Sequence, residues 1–565
     1  MSFRFTTPDL TRFNLKLWLC ALGLSFLCYL PSLQGPFILD DAHTVQSNDA
    51  IQNPANFFKL WTSARYYSSS PDNWGYRPMQ AMYTWTSWQL GQGETWPFHA
   101  FKILFFSFVA TFFTLIWRRL LPELPAAVIL LGGLFFLVNP VHTQVVSYIA
   151  ATSTLMAGMF VAFSLYQYLR FREDGRWWRW VISVVGVFFA MMSKEEGITI
   201  LGMIPLIEIY LRYREGRLRF GWRDLGVYLG YVVSGALALA LIVSMFEPTS
   251  DLARGSMDRW IYFATQFRAY LRYMAMYFVS YDLNADNLQF GFATSWRDTS
   301  VILSVAANLI LLTVAIFYIR RAPLLALCLF WFFGAISPAS SILVLAEPVN
   351  DHRAFLAYLG FAGLSFPLIH WLRQKGVAGR AFVVLVIVGY AGWTMARNVT
   401  WSSNVNLWED TIAKNPDSVR AHNNAALNYM HRSEWDRAAQ ILDACLAIEP
   451  RYSYCLINRA LVGVSRGEEQ LSESLYKRAI EADFAGVNAR RYYAEFMFAR
   501  GRLTEAIPYA EQADQAAQGK NLFVRTLLIR LHLNTGNKSR AREILNESLE
   551  TFGNDPSLIG LQSAL

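Results

Sequence analysis

Residues 124–167 read LPAAVILLGGLFFLVNPVHTQVVSYIAATSTLMAGMFVAFSLYQ, without one Asp, Glu, Lys or Arg. A helix that crosses the hydrocarbon core of a bilayer takes about 20 mostly apolar residues. This stretch has roughly twice that length, and Asn139-Pro140-Val141-His142-Thr143 sits at its centre, so it reads as a hairpin of two spans with the polar segment at its tip. Charge-free runs of similar character cover 17–39, 103–117, 181–193, 225–246, 299–319, 322–346, 354–372 and 381–396. A shorter run at 197–211 is interrupted by Pro205 and Glu208. Eleven spans result. Only 16% of the chain is charged, against roughly 25% in ordinary soluble chains, and the deficit is confined to residues before about 400.

Charge placement orients the spans. Lys and Arg gather on the cytoplasmic side of membrane proteins. Six basic clusters (Arg4/Arg12/Lys16, Arg118/Arg119, Arg170/Arg172/Arg176/Arg179, Arg212/Arg214/Arg217/Arg219/Arg223, Arg320/Arg321 and Arg373/Lys375/Arg380) fall on one side of an eleven-span chain. That side is the cytoplasm, and the odd count puts the C-terminal part outside, in a periplasm or lumen. These loops account for much of the basic content behind the net charge of +8, so no nucleic-acid partner is implied. The first run is too long for a signal-peptide core and lacks a small-residue cleavage site, so it reads as span one. Cys20, Cys28 and Cys328 sit in spans as packing residues; Cys445 and Cys455 lie outside, where they are either free or bridged.

From Trp408 the composition turns to soluble helix, rich in Ala, Glu and Arg. Comparing the chain with itself at an offset of 34 shows repeats. Ala425-Ala426, Tyr429, Ala438, Leu442, Cys445 and Pro450 occupy the tetratricopeptide positions, where two antiparallel helices touch and Pro closes the second. Weaker echoes follow at Ala460, Gly467, Tyr476 and Ala479, then at Ala494, Gly501, Ala506 and Ala513, then at Gly536, Ala541, Leu545 and Leu549. Four units, or three and a cap, fill 417–565. Such arrays stack into a concave surface that binds peptides or holds a partner. The expected organisation is therefore a membrane domain at 1–397, a linker at 398–416 and the repeats at 417–565. The fold class is all-α.

Polar residues on the outer side carry the chemistry. An outer loop at 40–99 opens with Asp40-Asp41-Ala42-His43 and continues to Tyr76-Arg77-Pro78. Ionisable groups where a span leaves the bilayer are costly to desolvate and tend to be functional. Outward turns also carry His142 with Gln144, then Lys194-Glu195-Glu196, then Asp351-His352-Arg353. An outer segment at 247–298 holds the aromatic stretch 260–280 with Arg268 and Arg272, which suits a helix lying in the interface or a twelfth span. A carboxylate there can act as general base on an acceptor hydroxyl, and Arg and Lys can stabilise a departing phosphate. Together these suit transfer of a sugar from a lipid phosphate. No Gly-rich phosphate loop or zinc signature is present.

The order Asp40-Asp41, Tyr76-Arg77-Pro78, Pro97-Phe98-His99, Asn139-Pro140-Val141-His142-Thr143 and Lys194-Glu195-Glu196-Gly197, followed by repeats, resembles the transmembrane and tetratricopeptide-repeat O-mannosyltransferases and their bacterial relatives. The resemblance implies a GT-C fold, a polyprenyl-phosphate sugar donor and inverting transfer, with Asp40 or Asp41 as base and Asp40 favoured. It also implies Arg77, Lys194 and Arg353 as holders of the donor phosphate, and His142, Glu195, Glu196 and His352 as residues shaping the sugar pocket. No metal or other cofactor is expected. The expected partners are the lipid-linked sugar, membrane lipid and an exported acceptor protein such as a pilin, held by the repeats. The expected setting is a bacterial inner membrane, with the N-terminus cytoplasmic and the repeats periplasmic. Two other readings stand beside it: a non-enzymatic envelope assembly factor, and a lipid-linked glycan polymerase, ligase or transporter. An anchor needs no acids and cations on several outer loops, which separates the first of these.

Overall fold

The computed structural model describes residues 7–70, 75–245, 258–341, 344–345, 347–483, 486–553 and 555–563. No strand occurs among them. The chain divides into two compact units, Met1–Leu407 and Trp408–Leu565. The boundary differs from the expected linker: the helix Gly376–Trp401 runs into the start of that segment, and Asn404–Lys414 fills much of the rest.

Each of the eleven expected spans contains a helix among the described residues. Seven helical stretches are long and apolar enough to cross a membrane: Asn14–Gln34, Trp96–Leu120, Ile149–Asp174, Trp222–Ser244, Thr299–Phe317, Asp351–Gln374 and Gly376–Trp401. An eighth is the pair Ala126–Leu137 and Pro140–Ser147, bent by 44°. The remaining runs give Trp177–Ser193, Ile200–Arg214 and Pro323–Ile336, of 17, 15 and 14 residues. At 1.5 Å per residue these reach only about 21–26 Å, short of the roughly 30 Å hydrocarbon core.

Two expected features come out differently. The centre of 124–167 is not an exposed tip: Asn139, His142, Thr143 and Gln144 are all buried. Pro140 lacks the amide that would continue the first helix, so the chain breaks there. The Asn139 side chain caps the next turn by accepting from the Val141 N–H at 3.1 Å. Nor does the 260–280 segment lie on a surface. The helix Arg259–Phe278 buries Tyr262, Tyr273 and Tyr277 completely, and two of these find main-chain acceptors inside, Tyr262 at Ala339 O, 3.5 Å away, and Tyr273 at Asn350 O, 3.1 Å away.

Flat indoles set the packing of the helix Phe355–Phe361. Trp331 and Trp117 each donate an indole N–H to it, at Leu356 O and Leu359 O, both at 3.2 Å. A Cβ on Gly360 would lie 1.9 Å from Trp331, and one on Gly363 2.0 Å from Trp117. Glycine is what allows that approach.

The second unit contains four helix pairs and a further short helix. First helices begin at Val419, Ser453, Val487 and Leu522, spaced by 34, 34 and 35 residues. Second helices begin at Trp435, Glu469, Leu503 and Lys538, and the short helix Pro556–Gln562 follows the fourth pair. Ala425, Ala438, Ala460, Ala479, Ala494, Ala506 and Ala541 are fully buried where helices touch. Cys445 and Cys455 form a disulfide between the first and second pairs.

The turn inside each pair needs a left-handed residue at the same position. Gly467, Gly501 and Gly536 supply it with φ of 77°, 73° and 81°, whereas the first pair has Ser433 at φ 59°. A side chain there costs about 1–2 kcal/mol, partly offset by the greater chain entropy that glycine loses on folding. Ser433→Gly is expected to stabilise the first pair by about 0.5–1 kcal/mol, read as slower hydrogen exchange across residues 419–448; unchanged or faster exchange contradicts this account of the turn.

Candidate active site

The acidic pair divides at Leu39, a bulky residue in the left-handed region at φ 52°. Such a conformation persists only where surrounding contacts impose it. Here Asp41 imposes it. Its Oδ2 accepts the Ile38 N–H at 2.9 Å and its Oδ1 accepts the Ala150 N–H at 2.8 Å, and the residue is 1% exposed. Burial raises the Asp41 carboxyl to about 7, against the lowering pull of the Ile38 amide and of the Lys102 ammonium. Asp41 is thus a staple between the first loop and the segment after the break. Asp40 points the other way. Its main-chain N–H donates to the Tyr148 hydroxyl at 3.2 Å, while its carboxylate is 65% exposed and lies 3.4 Å from His43 Nε2. The His43 Nδ1 is 2.9 Å from Ser68 Oγ.

The cations stand close by, each already engaged. Arg77 caps the helix Pro78–Gly91 and forks onto Glu195, Nη2 to Oε1 at 2.8 Å and Nε to Oε2 at 3.3 Å. Its Nη1 donates to the Tyr67 hydroxyl at 3.3 Å. Burial pulls the Arg77 guanidinium down, but Glu195 and Tyr67 outweigh it and hold it above the ordinary arginine value. Burial likewise pushes Glu195 up, yet Arg77 and Lys194 hold it down at about 2. Lys194 makes a buried pair with Glu196 at 2.6 Å and donates to Thr154 Oγ1 at 3.1 Å. Arg353 donates from Nη1 to Glu347 O at 2.7 Å. His352 lies in the combined field of Lys194, Arg353, Lys102 and Arg77, and its main-chain N–H donates to Gln144 Oε1 at 2.8 Å. Tyr67, which accepts from Arg77, precedes Ser68, whose Oγ is 2.9 Å from the Asp40-paired His43 ring, so the accessible acid and the Arg77–Glu195 pair are joined through one short segment.

Segments far apart in sequence therefore do meet, as the loop chemistry predicts, but three named residues sit differently. His142 is 1% exposed and caged by Phe106, Phe136, Phe355 and Tyr358. It does not face a sugar pocket. Glu196 is spent on Lys194, and Asp41 on two amides. Conversely, the sequence reading missed Lys102, Tyr67 and Tyr148. Lys102 stands at the edge of an apolar run, where a lone lysine reads as snorkelling; in the fold it is fully buried and donates to Tyr148 O. An apolar cavity of about 230 Å³ between Ser365–Gln374 and Gly376–Trp401 includes none of these polar groups.

With this geometry in hand, comparison with known proteins places the chain. Protein O-mannosyl-transferase tmtc2 of Xenopus laevis is 27% identical over 205 residues, 34% of this chain and 24% of the relative. About a third of this chain is similar to protein O-mannosyl-transferases. F38B6.6 of Caenorhabditis elegans (25%, 36% of this chain and 29% of the relative) and TMTC4 of Homo sapiens (26%, 33% and 28%) are likewise protein O-mannosyl-transferases. The matched stretch spans between about a quarter and three tenths of those relatives. The tetratricopeptide-repeat family profile matches residues 464–521 and 497–565. Solved repeat proteins such as TTC0263 of Thermus thermophilus (18% identical, TM-score 0.26) cover 31% of this chain and 94% of their own. The resemblance to O-mannosyltransferases read from the motifs is borne out, and so is the all-helical fold ending in repeats.

Two stability outcomes follow from the placements. Asp41→Asn turns one of two acceptors into a donor facing an amide, and is expected to cost about 1–3 kcal/mol; Asp40→Asn, at an exposed carboxylate, is expected to stay within about 0.5 kcal/mol. Thermal unfolding of the purified chain compares them, and equal losses contradict the division of roles. Glu195 is held below its ordinary 4.5 at about 2, so its contribution is complete above 4.5 and lost as pH falls toward 2. Unfolding temperature is expected to fall over that window, and less steeply in Glu195→Gln.

Proposed function

We propose that this chain is a membrane glycosyltransferase that moves a sugar from a polyprenyl-phosphate donor to a Ser or Thr hydroxyl of a protein, with inversion. The observation that carries the reading is the accessible Asp40 carboxylate, linked through His43, Ser68 and the adjacent Tyr67 to the Arg77–Glu195 clamp, in a chain similar to protein O-mannosyl-transferases. Asp40 takes the proton from the acceptor hydroxyl as that oxygen attacks the anomeric carbon. The lipid phosphate leaves from the opposite face, and Arg77, Lys194 and Arg353 stabilise its charge, which grows in the transition state. The Glu195 clamp on Arg77 fixes the guanidinium in advance, so little reorganisation accompanies the reaction. Mannose is the first sugar to test, since the similar proteins are O-mannosyl-transferases.

The repeats serve as the acceptor platform, and the reaction faces a periplasm or lumen. Two observations support that orientation: the arginine clusters, which belong on the cytoplasmic side, and the Cys445–Cys455 disulfide, a bond that persists in oxidising compartments.

The test uses the purified chain with synthetic polyprenyl-phosphate mannose and an acceptor protein, read by mass spectrometry of the product. Asp40→Asn is expected to reduce transfer by at least about 10²-fold with unfolding temperature unchanged. Full transfer by Asp40→Asn removes the base assignment, and no transfer by the parent chain with any polyprenyl-linked sugar removes the reading.

A further inference from the structure

At the arginine-rich end of the membrane unit, a cleft of about 160 Å³ opens between the helices Ile200–Arg214 and Pro323–Ile336. Its walls are apolar: Leu206, Ile209, Leu218, Leu327 and Phe330. Ile209 is 42% exposed, so the cleft opens on the outer surface of the helices. Arg320 stands at its edge, and Tyr213, which also lines it, donates to Arg320 O at 3.0 Å.

The charge around this mouth is unbalanced. Arg320 and Arg321 are exposed, as are Arg217 and Arg219, which flank the cleft-lining Leu218. The neighbouring acids are taken. Glu208 accepts from Arg172 and Arg212, Glu215 accepts two bonds from Arg172 at 2.7 and 2.8 Å, and Asp224 is held twice by Arg212. Among the described residues the Arg320 guanidinium makes no ion pair and no hydrogen bond. An apolar slot on the face of membrane helices, ending in cations without counter-charges, matches a molecule with a hydrocarbon chain and an anionic head.

We propose that this cleft binds an anionic glycerophospholipid, its acyl chain between Ile209 and Phe330 and its phosphate at Arg320, with Arg321 and Arg217 adding to the field. Basic pockets between membrane helices recognise lipid heads in this way, each arginine near the surface contributing about fivefold in affinity. The site is remote from Asp40 and independent of the sugar chemistry.

Native mass spectrometry of the full chain in detergent, titrated with phosphatidylglycerol or with phosphatidylcholine of the same acyl chains, tests it. Phosphatidylglycerol is expected to bind at least about fivefold tighter. The double substitution Arg320→Gln, Arg321→Gln removes that preference, and Ile209→Trp, which fills the slot from its open side, weakens both lipids. Equal affinity for the two lipids overturns the proposal. So does a preference that survives the arginine substitutions in full, or glycerol 3-phosphate binding as tightly as the whole lipid.

Discussion

A helix broken inside an apolar bundle bares amides and carbonyls that neither its own turns nor hydrocarbon can satisfy, and each one left alone costs several kcal/mol. The break at Asn139-Pro140 imposes that constraint here, and the polar architecture answers it. Thr394 donates to Val138 O at 2.7 Å, and Asn139 is tied to Tyr277 O and Ser280. Ser147 pairs with Asn398, Lys102 reaches Tyr148 O, Gln80 donates to Ala150 O and Asp41 accepts from Ala150 N. Every one of these partners comes from another helix or loop. Satisfying one irregular stretch therefore draws the first loop, the Trp96–Leu120 helix and the Gly376–Trp401 helix to a common point.

That gathering is what makes a reaction centre possible at the same place. Polar groups recruited for structure stand next to groups that face outward, as Asp41 does beside Asp40, or hold the backbone of a distant segment, as Gln144 holds that of His352. The Lys194-Glu195-Glu196 turn shows the same economy. Adjacent carboxylates in a tight turn point apart, so Glu196 pairs with Lys194 inside while Glu195, 56% exposed, orients Arg77. One short segment supplies both a buried anchor and an accessible clamp.

The apolar runs and the 34-residue period were legible in sequence because each depends on local regularity: run length for the helices, and small residues at recurring contacts for the repeats. The meeting of the polar loops was legible too, since charge placement sends them to one end. What sequence could not supply was direction within a loop. Whether Asp40 or Asp41 faces the open depends on the sign of φ at Leu39, which no propensity for leucine predicts. His142 looked like a pocket residue because it sits in a polar pentapeptide; the bend turns it into four aromatic rings instead. Lys102 was invisible because its partners, a carbonyl and a carboxylate, come from segments 46 and 61 residues away.

The single disulfide gives the repeat array an uneven elasticity. A solenoid holds each unit only through its neighbours, so two units part once the packing at their shared joint is lost. The pairs that begin at Val487 and Leu522 can peel away in that manner. The first two pairs cannot separate while the covalent bond between Cys445 and Cys455 spans their joint. The array thus combines one covalently clamped joint, between its first two pairs, with joints between later pairs held by packing alone.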